Sequence, residues 1–258
     1  MSTLTYTLSD SATMFRRNTR HALRYPSVLL VSVLIPVLLL LLFVGVFRAL
    51  GQSVPDGGDY IDFVVPGILL MTIAYGAQST TLAVNRDMTE GIIQRFRSMA
   101  ISPSSVLTGH VLAAVVRTLV SLTLVVAVSV ALGFRSDADV LAWLAALGIV
   151  VLMSLALAWL SVGAGLAAPN VESTGGFLIL VQLLPFVSSA FVPTDTMSGA
   201  VRWFAANQPF SVMIDAIRAL LLGTPIGNDG WIAVAWCLAL TLVGYLWSRA
   251  SFRKATVR

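Results

Sequence analysis

Long apolar stretches broken by short polar ones set the pattern of this chain. Residues 28–47, 63–84, 106–132, 140–166, 176–192 and 231–248 are apolar runs, most of them near the length that a bilayer-crossing helix needs, about 20 residues. The pattern predicts an all-α polytopic membrane protein with six transmembrane helices in one domain over 1–258. The first run follows a basic segment, as in a signal peptide. It is too long for such a core and has no small-residue cleavage site, so it reads as a retained span.

Three polar or amphipathic stretches punctuate these runs. At 7–25, Arg16, Arg17, Arg20 and Arg24 fit one helical arc and Leu8, Ala12, Phe15 and Leu23 the opposite one, which predicts an interfacial helix. At 85–103, Arg86, Asp87, Glu90, Gln94 and Arg97 fall on one side at helical spacing. Met88, Ile92, Phe96 and Met99 fall on the other, and Pro103 marks the end of the predicted helix. The stretch 193–229 holds two apolar patches, 200–206 and 210–222, split by Asn207-Gln208-Pro209. Each is too short to cross, which predicts an outer re-entrant helical hairpin before the last span.

Charge orients this layout. With both ends inside, Arg16, Arg17, Arg20 and Arg24, the connector's Arg86, Arg95 and Arg97, and the tail's Arg249, Arg253, Lys254 and Arg258 are cytoplasmic. Only Arg48, Arg135, Arg202 and Arg218 lie outside, so the positive-inside rule favours N-in, C-in. Composition agrees: 57% of residues are hydrophobic and 11% charged, far from the roughly 25% charged of soluble domains. The Ala-, Val- and Arg-rich usage points to a bacterial inner (plasma) membrane.

Candidate chemistry is sparse. The single lysine, Lys254, is followed by Ala255 and has no glycine-rich turn before it, so the chain carries no P-loop and binds no nucleotide through one. His-Glu-x-x-His and Gly-x-Ser-x-Gly are absent, and with two histidines and one cysteine no metal cluster is expected. The spans contain no Asp or Glu, which argues against an ion-coupled carrier. Arg117 is the one formal charge within a span. Tyr75, Gln78, Ser79, Phe177, Gln182 and Phe186 on spans two and five are candidates to line a substrate cleft. Asp215 and Arg218, three apart, can pair on a helix surface in the outer hairpin and serve as an outer gate.

Two segments resemble the ABC-2 family of ATP-binding-cassette permeases, in particular the bacterial daunorubicin/doxorubicin-resistance type. One is Glu90-Gly91-Ile92-Ile93-Gln94-Arg95-Phe96-Arg97-Ser98-Met99 through Ser102, with Ala100 where that family usually has Pro. The other runs from Ser189-Ala190-Phe191-Val192-Pro193 through Gln208-Pro209-Phe210 to Arg218 and Gly223, with Ser198 where Pro is common. The resemblance implies the membrane permease subunit of an ABC exporter, itself no enzyme. Segment 85–103 would be its coupling helix, with Glu90, Gly91, Arg95, Phe96, Arg97 and Met99 docking a separate ABC ATPase.

The same resemblance implies two ATPase copies carrying ATP and Mg, and a homodimer or a pair with a close paralogue. It also implies membrane lipids around the spans, a hydrophobic small-molecule or lipid substrate exported by alternating access, and no nucleic-acid partner. A non-transporting scaffold or lipid-organising subunit would share the spans, and so, less well, would a secondary carrier.

Overall fold

The computed structural model describes residues 26–47, 59–91 and 103–255. The interfacial helix expected at 7–25 and the greater part of the connector lie outside the described residues. Among the described residues eight α-helices follow in order: α1 (Pro26–Phe47), α2 (Tyr60–Thr89), α3 (Pro103–Ala131), α4 (Val140–Ala167), α5 (Gly175–Leu183), α6 (Gly199–Asn207), α7 (Pro209–Leu221) and α8 (Asp229–Ala255). Short 3₁₀ turns stand at Glu172–Thr174, Leu184–Val187 and Thr194–Thr196, and no strand occurs among the described residues. By length and apolar composition α2, α3, α4 and α8 can each cross a membrane.

Helix α2 is the axis of the bundle. From Tyr60 to Ala74 nearly every residue is buried, because α1, α3, α4, α5 and α7 all pack around it. Small residues permit the approach. A methyl on Gly67 would lie 2.6 Å from Ala190, and one on Gly76 would lie 2.5 Å from Thr118 Oγ1. Lower down, Gly165 of α4 lies against the Thr81 carbonyl at 2.7 Å by the same measure. Apolar surroundings give helices no hydrophobic reason to associate, so close backbone approach and interhelical hydrogen bonds supply the attraction.

The α4–α8 pair uses the same device twice. Gly163 lies under the Trp247 ring, and Gly244 lies against the backbone of Trp159 and Leu160. Ser248, one turn beyond Gly244, donates to the Trp159 carbonyl at 2.8 Å, and Tyr245 meets Trp159 edge-on at 5.1 Å. Outward faces remain apolar: Leu38 and Leu42 on α1, Val116 and Val120 on α3, Leu141 and Leu144 on α4, Leu242 and Leu246 on α8 are all largely exposed. A helical bundle whose exterior is as greasy as its interior is solvated by hydrocarbon.

Three elements differ from the sequence expectation. The second span does not stop at Val84: α2 runs to Thr89, where the Glu90 N–H bonds the Arg86 carbonyl, the Gly91 N–H bonds the Met88 carbonyl, and Gly91 turns at φ 71°. The first turn of the expected connector helix thus belongs to α2, ended by a left-handed glycine that needs no Cβ. Pro103 is the first residue of α3, where a missing N–H costs nothing; the end of the expected connector helix lies outside the described residues.

The second difference is span five. Instead of one helix over 176–192, α5 has 9 residues and passes into the 3₁₀ turn Leu184–Val187. Pro185 has no N–H to continue the ladder and its ring crowds the preceding turn. The expected last span also extends further, through the basic tail to Ala255.

Gly244→Val should strain the α4–α8 contact against backbone that cannot move aside. A loss of about 1–3 kcal/mol, the usual cost of overpacking, is expected as a lowered melting temperature of the detergent-purified protein. Leu242→Ala on the outward face should leave the melting temperature unchanged.

Candidate functional site

A hydrogen-bonded hub surrounds the break after Pro185. The chain from Ser188 to Phe191 has left the helix, yet it is buried beside α2, so its backbone groups need partners within the protein. Gln208, at the turn between α6 and α7, supplies several: Nε2 donates to the carbonyls of Leu184 and Val187, each at 3.1 Å, and lies 3.3 Å from Ser211 Oγ. The Ser189 N–H donates to Ser211 Oγ at 3.2 Å, and Ser188 Oγ donates to the Pro185 carbonyl. Tyr60 OH at the head of α2 donates to the Phe191 carbonyl at 3.2 Å.

Arg218 of α7 closes the hub. One Nη donates to Asp215 Oδ1 at 2.6 Å; the other donates to the Ser189 carbonyl at 2.6 Å and the Phe63 carbonyl at 3.1 Å, and Nε adds a bond to Phe63 at 3.2 Å. The guanidinium also lies 4.0 Å from the Phe63 ring centroid. Asp215 and Arg218 therefore pair as the spacing implied, but Arg218 points inward and joins α7, α2 and the Ser188–Phe191 segment, with 15% of its side chain exposed. Burial pushes the Asp215 carboxyl above the ordinary range, and the Arg218 charge pulls it back.

Below the hub, α2 opens. Tyr75, Gln78 and Ser79 are half-buried, and with Leu82 and Arg86 they form one stripe at helical spacing down to Glu90 and Gly91 at the helix end. Glu90 is exposed. The other cleft candidates do not join the stripe as a set. Phe177 meets Trp247 of α8 edge-on at 6.2 Å, Phe186 stacks on Phe191 at 5.5 Å, and Gln182 Nε2 is buried without a partner. Phe191 in turn stacks on Phe43 of α1 at 4.1 Å. Arg95, Phe96, Arg97 and Met99 lie outside the described residues.

Polar contacts that periodicity does not reveal tie the lower ends together. Asn85, fully buried, donates from Nδ2 to the carbonyls of Gly165 at 3.1 Å and Ala168 at 2.8 Å, capping the end of α4. His110 of α3 lies 3.3 Å from Asp87 of α2. Arg117 donates to Thr80 Oγ1 at 2.8 Å, and its Nε is buried with no partner. The one clue available in the sequence was chemical: an Asn, a Gln or an Arg within an apolar run must find a partner when its helix packs.

No cluster of three metal-binding side chains occurs among the described residues. Among the described residues the buried polar groups join helices, and an open polar stripe runs along the axial helix, an arrangement that fits a multi-pass membrane protein. Residues 11–222 match the family described as ABC-2 type transporter, and the chain belongs to that family.

Among its relatives, the chain is 28% identical over 220 residues to a daunorubicin resistance ABC transporter permease protein of Streptomyces coeruleorubidus, covering 85% of this chain and 76% of the relative. It is 25% identical over 226 residues to a probable doxorubicin resistance ABC transporter permease protein of Mycobacterium tuberculosis, covering 87% and 81%. A more distant match, 24% identical over 199 residues, covers 72% of this chain and 26% of the ABC transporter G family member 20 of Dictyostelium discoideum.

Arg218→Met should cost about 3 kcal/mol, because it leaves Asp215 without its cation and two carbonyls without donors. Combining it with Asp215→Leu should restore part of that loss, since no half-buried charge then remains. Thermal melts of the two variants in detergent check the order.

Proposed function

We propose that this chain is the membrane half of an ATP-driven exporter that moves hydrophobic drugs, natural products or lipids. The observation that carries the reading is α2: one uninterrupted helix of 30 residues joins the hub, the half-buried stripe Tyr75–Gln78–Ser79 and the head of the connector at Glu90. A separate ABC ATPase, two copies carrying ATP and Mg, docks on the connector 85–103 through Glu90, Gly91, Arg95, Phe96, Arg97 and Met99. Closure of the ATPase pair pushes the connector, and α2, stiffened by its packing, carries the displacement to the stripe. Two chains, identical or paralogous, face each other across a central cleft lined by this stripe and by α5, and alternating access follows as they rock.

In this reading the membrane is crossed six times, by α1, α2, α3, α4, the α5 segment and α8, with both ends in the cytoplasm of a bacterium. Trp143 and Trp231 stand near the starts of α4 and α8, and Arg249, Arg253 and Lys254 near the end of α8, which fits an aromatic outer belt and a basic inner face. The α6–α7 hairpin returns to the outer side, and the Asp215–Arg218 clamp holds it over the cleft as an outer gate.

Reconstituted with its ATPase, the protein should show cargo-stimulated ATP hydrolysis that Phe96→Ala or Glu90→Arg reduces about tenfold or more, as loss of a buried interface anchor does. Membrane insertion of both variants should be normal. Transport by the isolated chain without ATP would refute the proposal.

For the topology, single cysteines at Ser198 and Asn228 in a Cys237→Ala background should react with an impermeant thiol reagent on intact cells. One at Lys254 should react only after the cells are opened. Each of these three positions is exposed, so protection reports the membrane and not burial. Labelling at only one of the outer pair would mean that the hairpin crosses.

A further inference from the structure

A groove of about 330 Å³ opens between α3 and α4. Its walls are Leu122 and Val126 of α3 and Trp143 and Leu147 of α4, and its floor is Leu69 of α2 with Ile217 of α7. The volume is at the low end of the range for small-molecule sites. Water has little to hold it there. Thr123, the one hydroxyl in the lining, already donates to the Leu119 carbonyl at 2.9 Å, and an apolar cavity without polar partners stays dry. The flanks of the mouth, Val120 and Leu124 on α3 and Leu141 and Leu144 on α4, are exposed and apolar, so the groove faces hydrocarbon.

At its upper end the groove meets a charged loop. Val140, in the lining, directly follows that loop, and Val130, one turn beyond Val126, accepts a bond from Arg135 Nη1 at 3.5 Å. The same nitrogen bonds the Phe134 carbonyl at 3.3 Å, and the Arg135 backbone N–H is held by Asp62 Oδ1 at 3.2 Å. Arg135 is thus fixed at the rim, exposed, its guanidinium donating to backbone carbonyls. Two residues on, Asp137 is exposed as well, and Asp139 beyond it is engaged in capping Ala142 at 2.7 Å. The loop joins helices of 29 and 28 residues, each long enough to cross, so it emerges at headgroup depth.

We propose that this groove binds one acyl chain of a zwitterionic phospholipid with an ethanolamine headgroup. The chain lies between α3 and α4, the phosphate takes the guanidinium of Arg135, and the ammonium faces the carboxylate of Asp137. The pairing of one cation with nearby acids selects against a purely anionic headgroup, which the loop's aspartates repel. The bound chain fills the gap above Leu69 and Ile217 and so touches both the axial helix and the hairpin helix α7. The inference needs α3 and α4 to cross a membrane; it does not need an ATPase or a cargo.

The test uses the purified full chain in phosphatidylcholine nanodiscs with a trace of phospholipid bearing a photoreactive diazirine acyl chain. The headgroup is ethanolamine in one arm and glycerol in the other. After irradiation, mass spectrometry should place adducts within residues 119–126 and 140–150, with the ethanolamine lipid favoured about fivefold, the scale of one charge contact near a membrane surface. Leu147→Trp, a change at the exposed mouth that should not disturb folding, should abolish these adducts while leaving those on the outer face of α8. Arg135→Gln should remove the headgroup preference. Equal yields from the two headgroups in the unaltered protein, or adducts spread evenly over all outward faces, would overturn the proposal. So would displacement of the adducts by a cationic amphiphile, which would make the groove a cargo site.

Discussion

The four hydrogen bonds of the Arg218 guanidinium hold together what the chain would otherwise leave open. A helix that breaks at Pro185 within apolar surroundings exposes carbonyls and N–H groups to a solvent that cannot satisfy them. Each such orphan would cost on the order of several kcal/mol. Arg218 accepts that constraint from one side, bonding Ser189 and Phe63, and Gln208 from the other, bonding Leu184 and Val187. The break is then tolerable, and the two short helices α6 and α7 cannot leave without exposing it. The break after Pro185 is thus served by one arginine and one glutamine.

The remainder of the bundle is held by a different economy, that of small residues. Gly67, Gly76, Gly163, Gly165 and Gly244 each stand where a methyl would collide with a neighbouring helix or loop. They bring backbones close enough for dispersion to act over long contacts, which is the main attraction available when the surroundings are as apolar as the side chains. Polar side chains join neighbouring helices at single points: Asn85 on the end of α4, Ser248 on Trp159, Arg117 on Thr80. They fix register more than they add stability. A rigid axial helix results, which suits a protein proposed to relay movement from one membrane face toward the other.

The hub and the α3–α4 groove make α7 a shared element. Ile217 faces the groove, while Arg218, the next residue, faces the hub. Packing on one side and hydrogen bonds on the other thus meet in a helix only 13 residues long.

By itself the sequence determined the class of molecule, because apolar run length is a one-dimensional property. Runs this long and apolar can cross a bilayer, and the runs at 106–132 and 140–166 became α3 and α4 within a few residues of the expected ends. The short patches at 200–206 and 210–222 became α6 and α7 for the same reason, split where Pro209 must stand at a helix start. Local chemistry beyond that was partly legible: the Asp215–Arg218 spacing implied a pair. Only the tertiary structure decided where the pair points, because the partners are the carbonyls of Phe63 and Ser189, far away in the chain. It also decided that α2 runs past Val84, since Asn85 is held by the end of α4, and that span five breaks, since a proline in an apolar run kinks or ends a helix depending on whether neighbours can satisfy the freed backbone. Here Gln208 and Arg218 can, and no pattern of hydrophobicity records which distant side chain will arrive.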